Sequence, residues 1–171
     1  MPMLKVVVTG PESSGKTTLA QTLAAHYQAP WVAEYARTYI EQLTQPYQEE
    51  DLLTIARGQV QQEDELAQTN PRLLICDTSL LVIYIWSHYR YGRCHPWIEK
   101  QLAHRSVDHY LLCSPDLPWQ PDPQRENPND RDKLFAIYQE ALQAKPRTVI
   151  SGDMSVRTKT AIDAINQLRS S

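Results

Sequence analysis

A glycine-bracketed loop with a lysine and a threonine carries the clearest chemistry in the sequence. Residues 10–17 read GPESSGKT and fit the pattern G-x-x-x-x-G-K-[ST]. The apolar run LKVVVT precedes the loop, and Leu19, Leu23 and Tyr27 follow it at helical spacing. Backbone N–H groups of such a loop and of the next helix converge on phosphate oxygens. The pattern therefore predicts a nucleotide phosphate site.

Within this loop the residue types divide between phosphate contact and metal binding. Gly10 and Gly15 allow the backbone to approach the phosphates closely. Lys16 carries positive charge toward the β and γ phosphates, and the Thr17 hydroxyl is placed for Mg²⁺. We expect the rest of the nucleotide site to include Glu12, Ser13, Ser14 and Thr18.

The carboxylate of Asp77 follows a second apolar run, LLICD. A motor-type ATPase commonly has a glutamate directly after this aspartate to orient the attacking water, and here Thr78 follows. A guanine-nucleotide switch should show Asn-Lys-x-Asp, which the sequence lacks. Asp77 is placed for water-mediated Mg²⁺ contact or for the substrate. The pattern favours transfer to a bound acceptor over hydrolysis.

The stretch WVAEYAR supplies a candidate acceptor site. Glu34 and Arg37 come at the end of a predicted strand, and open α/β sheets bind ligands at that edge. A kinase needs a carboxylate to take or orient the hydroxyl proton, and positive charge over the transferring group. The two residues share a face on a helical turn, so a surface ion pair is the open alternative.

Residues 114–132 hold five of the twelve prolines and should run over the surface. As a lid, this segment would bring Arg125 and Arg131 onto the phosphates, where an arginine can be worth roughly 10³ to 10⁵ in rate. The alternative is that both arginines are solvated loop charges.

Strand-length apolar runs alternate with helical patterns along the chain. We expect strands at residues 4–9, 30–33, 73–77, 107–113 and 147–151. Helices are expected after the phosphate loop, through Leu52 to Ala67, and at residues 80–91, 131–143 and 155–168. Because the strand runs are continuously apolar, they suit a sheet covered on both faces. The alternation predicts an α/β fold with a mostly parallel five-stranded sheet.

Length and composition set outer bounds on the function. The 171 residues suit a single domain, 1–171, and 42% hydrophobic residues is ordinary globular composition. A net charge of −3 gives no basic footprint for nucleic acid. The longest apolar run, residues 80–86, is far short of the ~20 residues that span a bilayer. We expect a cytoplasmic protein with no membrane contact, buried thiols at Cys76 and Cys113, and no structural zinc site. Homo-oligomerisation is left open.

Taken together, GPESSGKTTLA, VAEYAR, ICDTSLLVIYIWSHYRYG and LLCSPDLPWQPDPQR resemble the ribosylnicotinamide kinase domain of NadR, among the P-loop nucleoside and nucleotide kinases. The resemblance runs from about residue 4 to 169. It implies a P-loop kinase fold, ATP with Mg²⁺, and γ-phosphoryl transfer to the 5′-hydroxyl of nicotinamide riboside, a step of NAD salvage. The family's other domains are a DNA-binding helix-turn-helix and an adenylyltransferase; we expect no counterpart of either in these residues, so repression and adenylyl transfer are not carried over.

By that similarity, Trp119 stacks on the nicotinamide ring, and Glu34, Arg37 and Asp77 line the ribose and phosphate site. A tryptophan face attracts a cationic pyridinium by roughly 0.5 to 2 kcal/mol. Trp86 and Tyr89 are further candidates, although both fit an amphipathic helix whose aromatics fill the core. Trp119 lies in a polar loop where no core periodicity explains it.

Three positions add detail on the two sides of the site. On the adenine side, Arg157 in SGDMSVRT either lies over the base or is an ordinary helix-start arginine. On the acceptor side the chain departs from the family in two places. It has DPQR, with Pro123, where the family tends to read Asp-Gly before its arginine, and Ser79 where a second acidic residue is frequent after Asp-Thr.

Three functions follow from these residues. The leading one is a nicotinamide riboside kinase. The second is a kinase of another nucleoside or small metabolite, which keeps the phosphate machinery and reassigns the aromatic contacts. The third is a regulatory ATPase without a small acceptor. The residues leave open whether Glu34 or Asp77 serves as the base.

Overall fold

Five short strands form one sheet in the order β2-β3-β1-β4-β5. The computed structural model describes residues 2–171. The strands are β1 (Leu4–Thr9), β2 (Trp31–Val32), β3 (Leu73–Asp77), β4 (His109–Cys113) and β5 (Arg147–Ile150). Every pairing is parallel. The predicted five-stranded α/β sheet is confirmed, and it is parallel throughout rather than mostly parallel.

Seven helices are found in residues 2–171. They are α1 (Lys16–Tyr27), α2 (Tyr35–Glu41), α3 (Glu49–Ala67), α4 (Leu80–Tyr91), α5 (Pro96–His104), α6 (Arg131–Ala141) and α7 (Met154–Ser170). Five match predicted segments to within a few residues. α4 begins after Ser79, whose hydroxyl accepts a hydrogen bond from the Leu81 N–H, and ends at Gly92 with φ of 72°.

Side chains of the central strand alternate between two apolar cores. Val6 and Val8 pack with α1 and α7 on one face of the sheet. Val7 packs with α4 and α6 on the other face. Because both faces are covered, the strand is apolar without a break, and each buried valine contributes about 1.5–3 kcal/mol. Cys76 and Cys113 are free thiols buried in these cores, as predicted.

The helix α2 lies against α3 at a position that has no side chain. A β-carbon on Gly58 would lie 2.1 Å from Cε1 of Tyr35. The Tyr35 N–H also donates to the Gln59 side chain at 3.1 Å. α3 thus fixes the first residue of α2, which directly follows Glu34.

The carboxyl ends of the strands collect the predicted functional segments at one edge of the sheet. Residues 114–130 contain no helix or strand, and α6 begins at Arg131. We call residues 114–130 the lid; it is two residues shorter than the predicted segment, 114–132. Among residues 2–171 no helix combines the length and hydropathy that crossing a bilayer requires. The single-domain organisation stays a prediction.

Candidate active site

The phosphate loop, residues 10–17, joins β1 to α1 and depends on two glycines. Gly10 has φ of 139°, and a β-carbon there would lie 2.5 Å from the Cys113 carbonyl oxygen. Gly15 has φ of 80°, and its β-carbon would lie 2.9 Å from Leu117. The loop therefore folds against β4 and the lid in a way that only glycine allows at these positions.

Two side chains close the phosphate loop on itself. Lys16 Nζ donates to the Pro11 carbonyl oxygen at 2.8 Å, and Ser14 Oγ donates to the same oxygen at 2.6 Å. This geometry keeps the Lys16 ammonium within the curve of the loop. The structure brings these loop residues together as the motif predicts.

Asp77 is the last residue of β3 and is hydrogen-bonded to Thr17 in the first turn of α1. Thr17 Oγ1 donates to Asp77 Oδ2 at 2.6 Å. The Asp77 side chain is 1% exposed, and Oδ1 has no hydrogen-bond partner within residues 2–171. Burial raises the pKa of Asp77, while the Thr17 hydroxyl and the Lys16 charge lower it.

An unpartnered carboxylate oxygen beside a hydroxyl fits a divalent cation. Mg²⁺ prefers oxygen ligands and is usually bound by one or two carboxylates together with phosphate oxygens. Thr17 and Asp77 supply that donor set at the predicted place. Both predicted metal ligands therefore fit the ion.

Glu34 lies directly before α2, beside the same charges. Burial raises the pKa of Glu34; Asp77 and Glu12 raise it further, while Lys16 and Arg37 lower it. Charges in a protein interior interact more strongly than in water, because the effective dielectric constant there is lower. The Glu34 carboxylate is thus electrostatically coupled to Lys16 and Asp77, although the three come from separate segments.

Arg37 reaches the lid instead of pairing with Glu34. Its guanidinium contacts Asp122 at 2.6 Å and Glu41 at 3.3 Å. Gln124 Nε2 donates to the Arg37 carbonyl at 3.2 Å. The Arg37 side chain is 47% exposed, so the ion pair contributes little free energy, but it ties α2 to the lid.

The lid lies across the phosphate loop. The Gln120 N–H donates to Ser13 Oγ at 2.9 Å, and the Asn127 N–H donates to Glu12 Oε2 at 2.9 Å. Arg131 donates to the carbonyl oxygens of Ser13, at 3.0 Å, and Leu117, at 2.9 Å. Glu12 and Ser13 were predicted as nucleotide-site residues. Their side chains hold the lid in this structure.

Trp119 and the two predicted lid arginines form one group. The guanidinium carbons of Arg125 and Arg131 lie 6.0 Å and 5.5 Å from the centre of the Trp119 ring. Arg125 also donates to the Gln120 carbonyl. The half-buried tryptophan therefore already presents its face to cations.

Trp86 and Tyr89 combine core packing with contacts to the lid side. Both pack at the edges of apolar clusters. Trp86 Nε1 donates to the Tyr47 hydroxyl at 2.9 Å, and Tyr47 donates to Glu126 at 2.6 Å. The Tyr89 hydroxyl donates to Asp130 at 2.6 Å. The rings of Trp86 and Tyr89 thus pack against the core, as the core interpretation predicts. Their polar atoms point to the side of the lid, where the ligand-binding interpretation puts them.

Arg157 is buried rather than open to a nucleotide base. Its side chain is 0% exposed, and its guanidinium is bonded to protein oxygens. The expectation that it lies over adenine does not fit this geometry, because burial closes its face to a ligand. The alternative expectation, an ordinary arginine at a helix start, is right about its position in the first turn of α7. It did not predict the buried contacts of the guanidinium.

Sequence reasoning missed Tyr47 and the role of Tyr138. Tyr138 lies in the expected helix 131–143; burial raises its pKa, and the charges of Glu34 and Glu12 raise it further. Tyr138 is therefore a core residue that is electrostatically coupled to these two carboxylates. Tyr47 offered one signal, an aromatic side chain in a polar loop without core periodicity, which is the signal that singled out Trp119.

Comparison with known proteins finds relatives in sequence and in fold. The chain is 26% identical over 146 residues to the trifunctional NAD biosynthesis/regulator protein NadR of Escherichia coli (strain K12), covering 81% of this chain and 35% of that protein. NadR of Salmonella typhimurium is 27% identical over 123 residues, covering 68% and 30%. The chain thus spans about a third of the length of these relatives. The resemblance found in the motifs is confirmed.

Solved structures share the fold at lower identity. A NadR protein in complex with NR superposes with a TM-score of 0.85 at 23% identity, covering 96% of this chain and 51% of that one. Thymidylate kinase from Ehrlichia chaffeensis superposes with a TM-score of 0.68 at 14% identity, covering 98% and 99%. The predicted P-loop kinase fold is confirmed.

A family model described as an AAA domain matches residues 5–157, which is most of the chain. The match includes the phosphate loop, Glu34, Asp77 and the lid. The protein belongs to this AAA domain family.

Proposed function

We propose that the protein is an ATP-dependent kinase that transfers the γ-phosphoryl group to the 5′-hydroxyl of nicotinamide riboside, giving the mononucleotide. The carrying observation is the grouping of Lys16, Thr17 and Asp77 with the Glu34 carboxylate at one edge of the sheet. The similarity to NadR supports the choice of acceptor, since one NadR structure was solved in complex with NR.

The nucleotide half of the reaction rests on the phosphate loop. Loop N–H groups and Lys16 hold the phosphates, and Thr17 and Asp77 would hold Mg²⁺. Mg²⁺ bound there would supply positive charge against the negative charge that develops on the transferring group. Arg131, the first residue of α6, is anchored on the Ser13 carbonyl and brings a positive charge to the same phosphates.

The acceptor half rests on Glu34 and Trp119. The raised pKa makes the Glu34 carboxylate a stronger base, so that it accepts a hydroxyl proton more effectively. Trp119 takes the pyridinium on a face that Arg131 approaches in this structure. Ligand binding would therefore displace the Arg131 guanidinium from the Trp119 ring toward the transferring group. Acceptor binding and the position of the Arg131 charge would then be coupled.

The departure at Ser79 is consistent with this assignment. Ser79 caps α4, so its polar atom serves the helix rather than a ligand. Pro123 follows Asp122, the partner of Arg37, and so lies where the lid meets α2. Its effect on the acceptor stays a prediction.

The test is ADP release from Mg·ATP by the purified protein, with and without nicotinamide riboside and beside a panel of common nucleosides. We expect strong stimulation by nicotinamide riboside, lost in Trp119→Ala and in Glu34→Gln. Trp97→Ala is the matched control, because Trp97 also lies under a guanidinium, that of Arg57 at 5.5 Å, but belongs to α5. Its activity should equal the wild type.

Other outcomes separate the alternatives. Stimulation by a different nucleoside would keep the kinase assignment and overturn the acceptor. Slow ATP turnover that no acceptor changes would favour the regulatory ATPase.

A further inference from the structure

Arg157 is the largest fully buried side chain among residues 2–171, and it lies in the first turn of α7. Nη1 donates to the Ser14 carbonyl oxygen at 2.9 Å, and Nη2 donates to the Ser114 carbonyl oxygen at 2.9 Å. Nε donates to the Gly152 carbonyl oxygen at 2.6 Å. Asp116 completes the set as an ion-pair partner.

A buried charge of this kind is costly unless every donor is satisfied. Three of the four acceptors are neutral backbone carbonyls, and the one carboxylate, Asp116, is 43% exposed. The arrangement therefore achieves little charge neutralisation. What it does achieve is geometry, since a planar guanidinium fixes several acceptors at once and a lysine ammonium does not.

The acceptors belong to three separate segments at the carboxyl edge of the sheet. Ser14 is in the phosphate loop, Ser114 directly follows β4, and Gly152 lies between β5 and α7. Asp116 also accepts from the Gly152 N–H at 2.7 Å and from Ser114 Oγ at 3.0 Å. Arg157 thus clamps the back of the phosphate loop to the two loops beside it.

Fixing the Ser14 carbonyl also fixes the next N–H group. The peptide bonds of residues 2–171 are trans, and in a trans peptide the C=O and the following N–H point in opposite directions. Because Arg157 holds the Ser14 oxygen toward the core, the Gly15 N–H points away from the core. That side of the loop is where phosphate oxygens bind in a loop of this type.

We propose that Arg157 is a positioning residue for the nucleotide: it sets the orientation of the Ser14–Gly15 peptide and thereby the affinity of the loop for phosphates. This inference deepens the proposed function and rests on it, because both require that the phosphate loop binds a nucleotide. It assigns Arg157 no contact with the base.

Binding of Mg·ADP, measured by calorimetry at a temperature well below unfolding, tests this without any acceptor. Arg157→Lys keeps the charge and loses the fork. We expect it to weaken ADP binding by roughly 10- to 100-fold, the scale of a misplaced binding group. The KM for ATP should rise in parallel, with the KM for the acceptor unchanged. On addition of Mg·ADP, the Gly15 amide signal in the NMR spectrum should shift less than in the wild type.

Arg169→Gln is the matched control, because Arg169 lies on the same helix, exposed over the Tyr27 ring. It removes one positive charge and should leave ADP affinity unchanged. A merely structural role would lower the melting temperature of Arg157→Lys while ADP affinity and the Gly15 shift stay at wild-type values. That result overturns the proposal.

Asp116→Asn keeps the test decisive if Arg157→Lys does not fold. It leaves the guanidinium in place but weakens one of its anchors, so ADP affinity should fall by a few-fold. Unchanged affinity in a folded Asp116→Asn would overturn the proposal. A wild-type protein that binds no adenine nucleotide would instead overturn the proposed function, so the two failures are distinguishable.

Discussion

At the scale of single residues, the two oxygens of Asp77 have different surroundings. Oδ2 accepts from Thr17, whereas Oδ1 is buried without a partner in residues 2–171. An unsatisfied buried acceptor costs about 1–3 kcal/mol. A cation at Oδ1 would remove that cost, which explains why the protein keeps a carboxylate there rather than an apolar side chain.

Thr17→Val tests the metal site directly. The change removes the hydroxyl that bonds Asp77 and that would help to hold the cation, so apparent Mg²⁺ affinity should fall by about 10- to 100-fold. A magnesium titration of ATP turnover measures this, and higher Mg²⁺ should recover part of the rate. Thr22→Val makes the same change one turn along α1, where the hydroxyl only bonds the Thr18 carbonyl. Identical titrations for the two variants would contradict the assignment.

The raised pKa of Glu34 couples catalysis to stability. The folded state holds the Glu34 proton more tightly than the unfolded chain does. Stability is therefore lost as pH rises from the ordinary glutamate pKa, about 4.3, through the raised folded value. The loss is complete above the folded pKa.

Glu34→Gln should therefore melt at a higher temperature than the wild type near neutral pH while its transfer rate falls by about 10²- to 10⁴-fold. The difference in melting temperature should shrink as pH falls below the ordinary glutamate pKa. Glu49→Gln is the opposite control: Arg93 lowers the pKa of Glu49, so its loss should not raise the melting temperature. A lower melting temperature for Glu34→Gln at neutral pH would contradict the account.

At the scale of elements, the contact between α2 and α3 sets where Glu34 stands. At Gly58 the ring of Tyr35 fills the space that a side chain would occupy. Alanine normally stabilises a helix interior by about 1 kcal/mol relative to glycine. Here the new methyl group meets an aromatic ring, so packing and propensity act in opposite directions.

Gly58→Ala should destabilise the protein and raise the KM for the acceptor, because Tyr35 must move and Glu34 is its neighbour in the chain. Thermal melting and acceptor titration measure the two effects. Added to Tyr35→Ala, the same substitution should stabilise by up to about 1 kcal/mol, since only propensity remains. If Gly58→Ala alone raised the melting temperature, α2 would not be held as the structure shows.

At the scale of the whole molecule, local patterns predicted some features and missed others for physical reasons. The central strands were predictable because burial on both faces makes them continuously apolar, and the phosphate loop because its motif is local. The seven-residue α2 is too short to show a helical stripe. The contact between Asn127 and Glu12 joins residues 115 apart, which only tertiary packing decides. The burial of Arg157 is a property of the fold for the same reason.

The ion pair between Lys5 and Glu63 lies away from the site and tests how much tertiary packing contributes to stability. Lys5 is at the amino end of β1, opposite the phosphate loop, and Glu63 is on α3. The two residues are 8% and 2% exposed. Removing one partner leaves the other charge buried, which typically costs about 3–5 kcal/mol.

Glu63→Gln should therefore lower the free energy of unfolding by about 3–5 kcal/mol, measured by urea denaturation, with the KM for ATP unchanged below the transition. The double variant Lys5→Met with Glu63→Leu should recover most of the loss, because it leaves no charge behind. Asp64→Asn is the neighbouring control: Asp64 pairs with Arg105 but is 52% exposed, so its loss should cost under about 1 kcal/mol. If Glu63→Gln instead changed nucleotide binding at full stability, β1 would transmit its packing to the phosphate loop, and fold and site would not be separable.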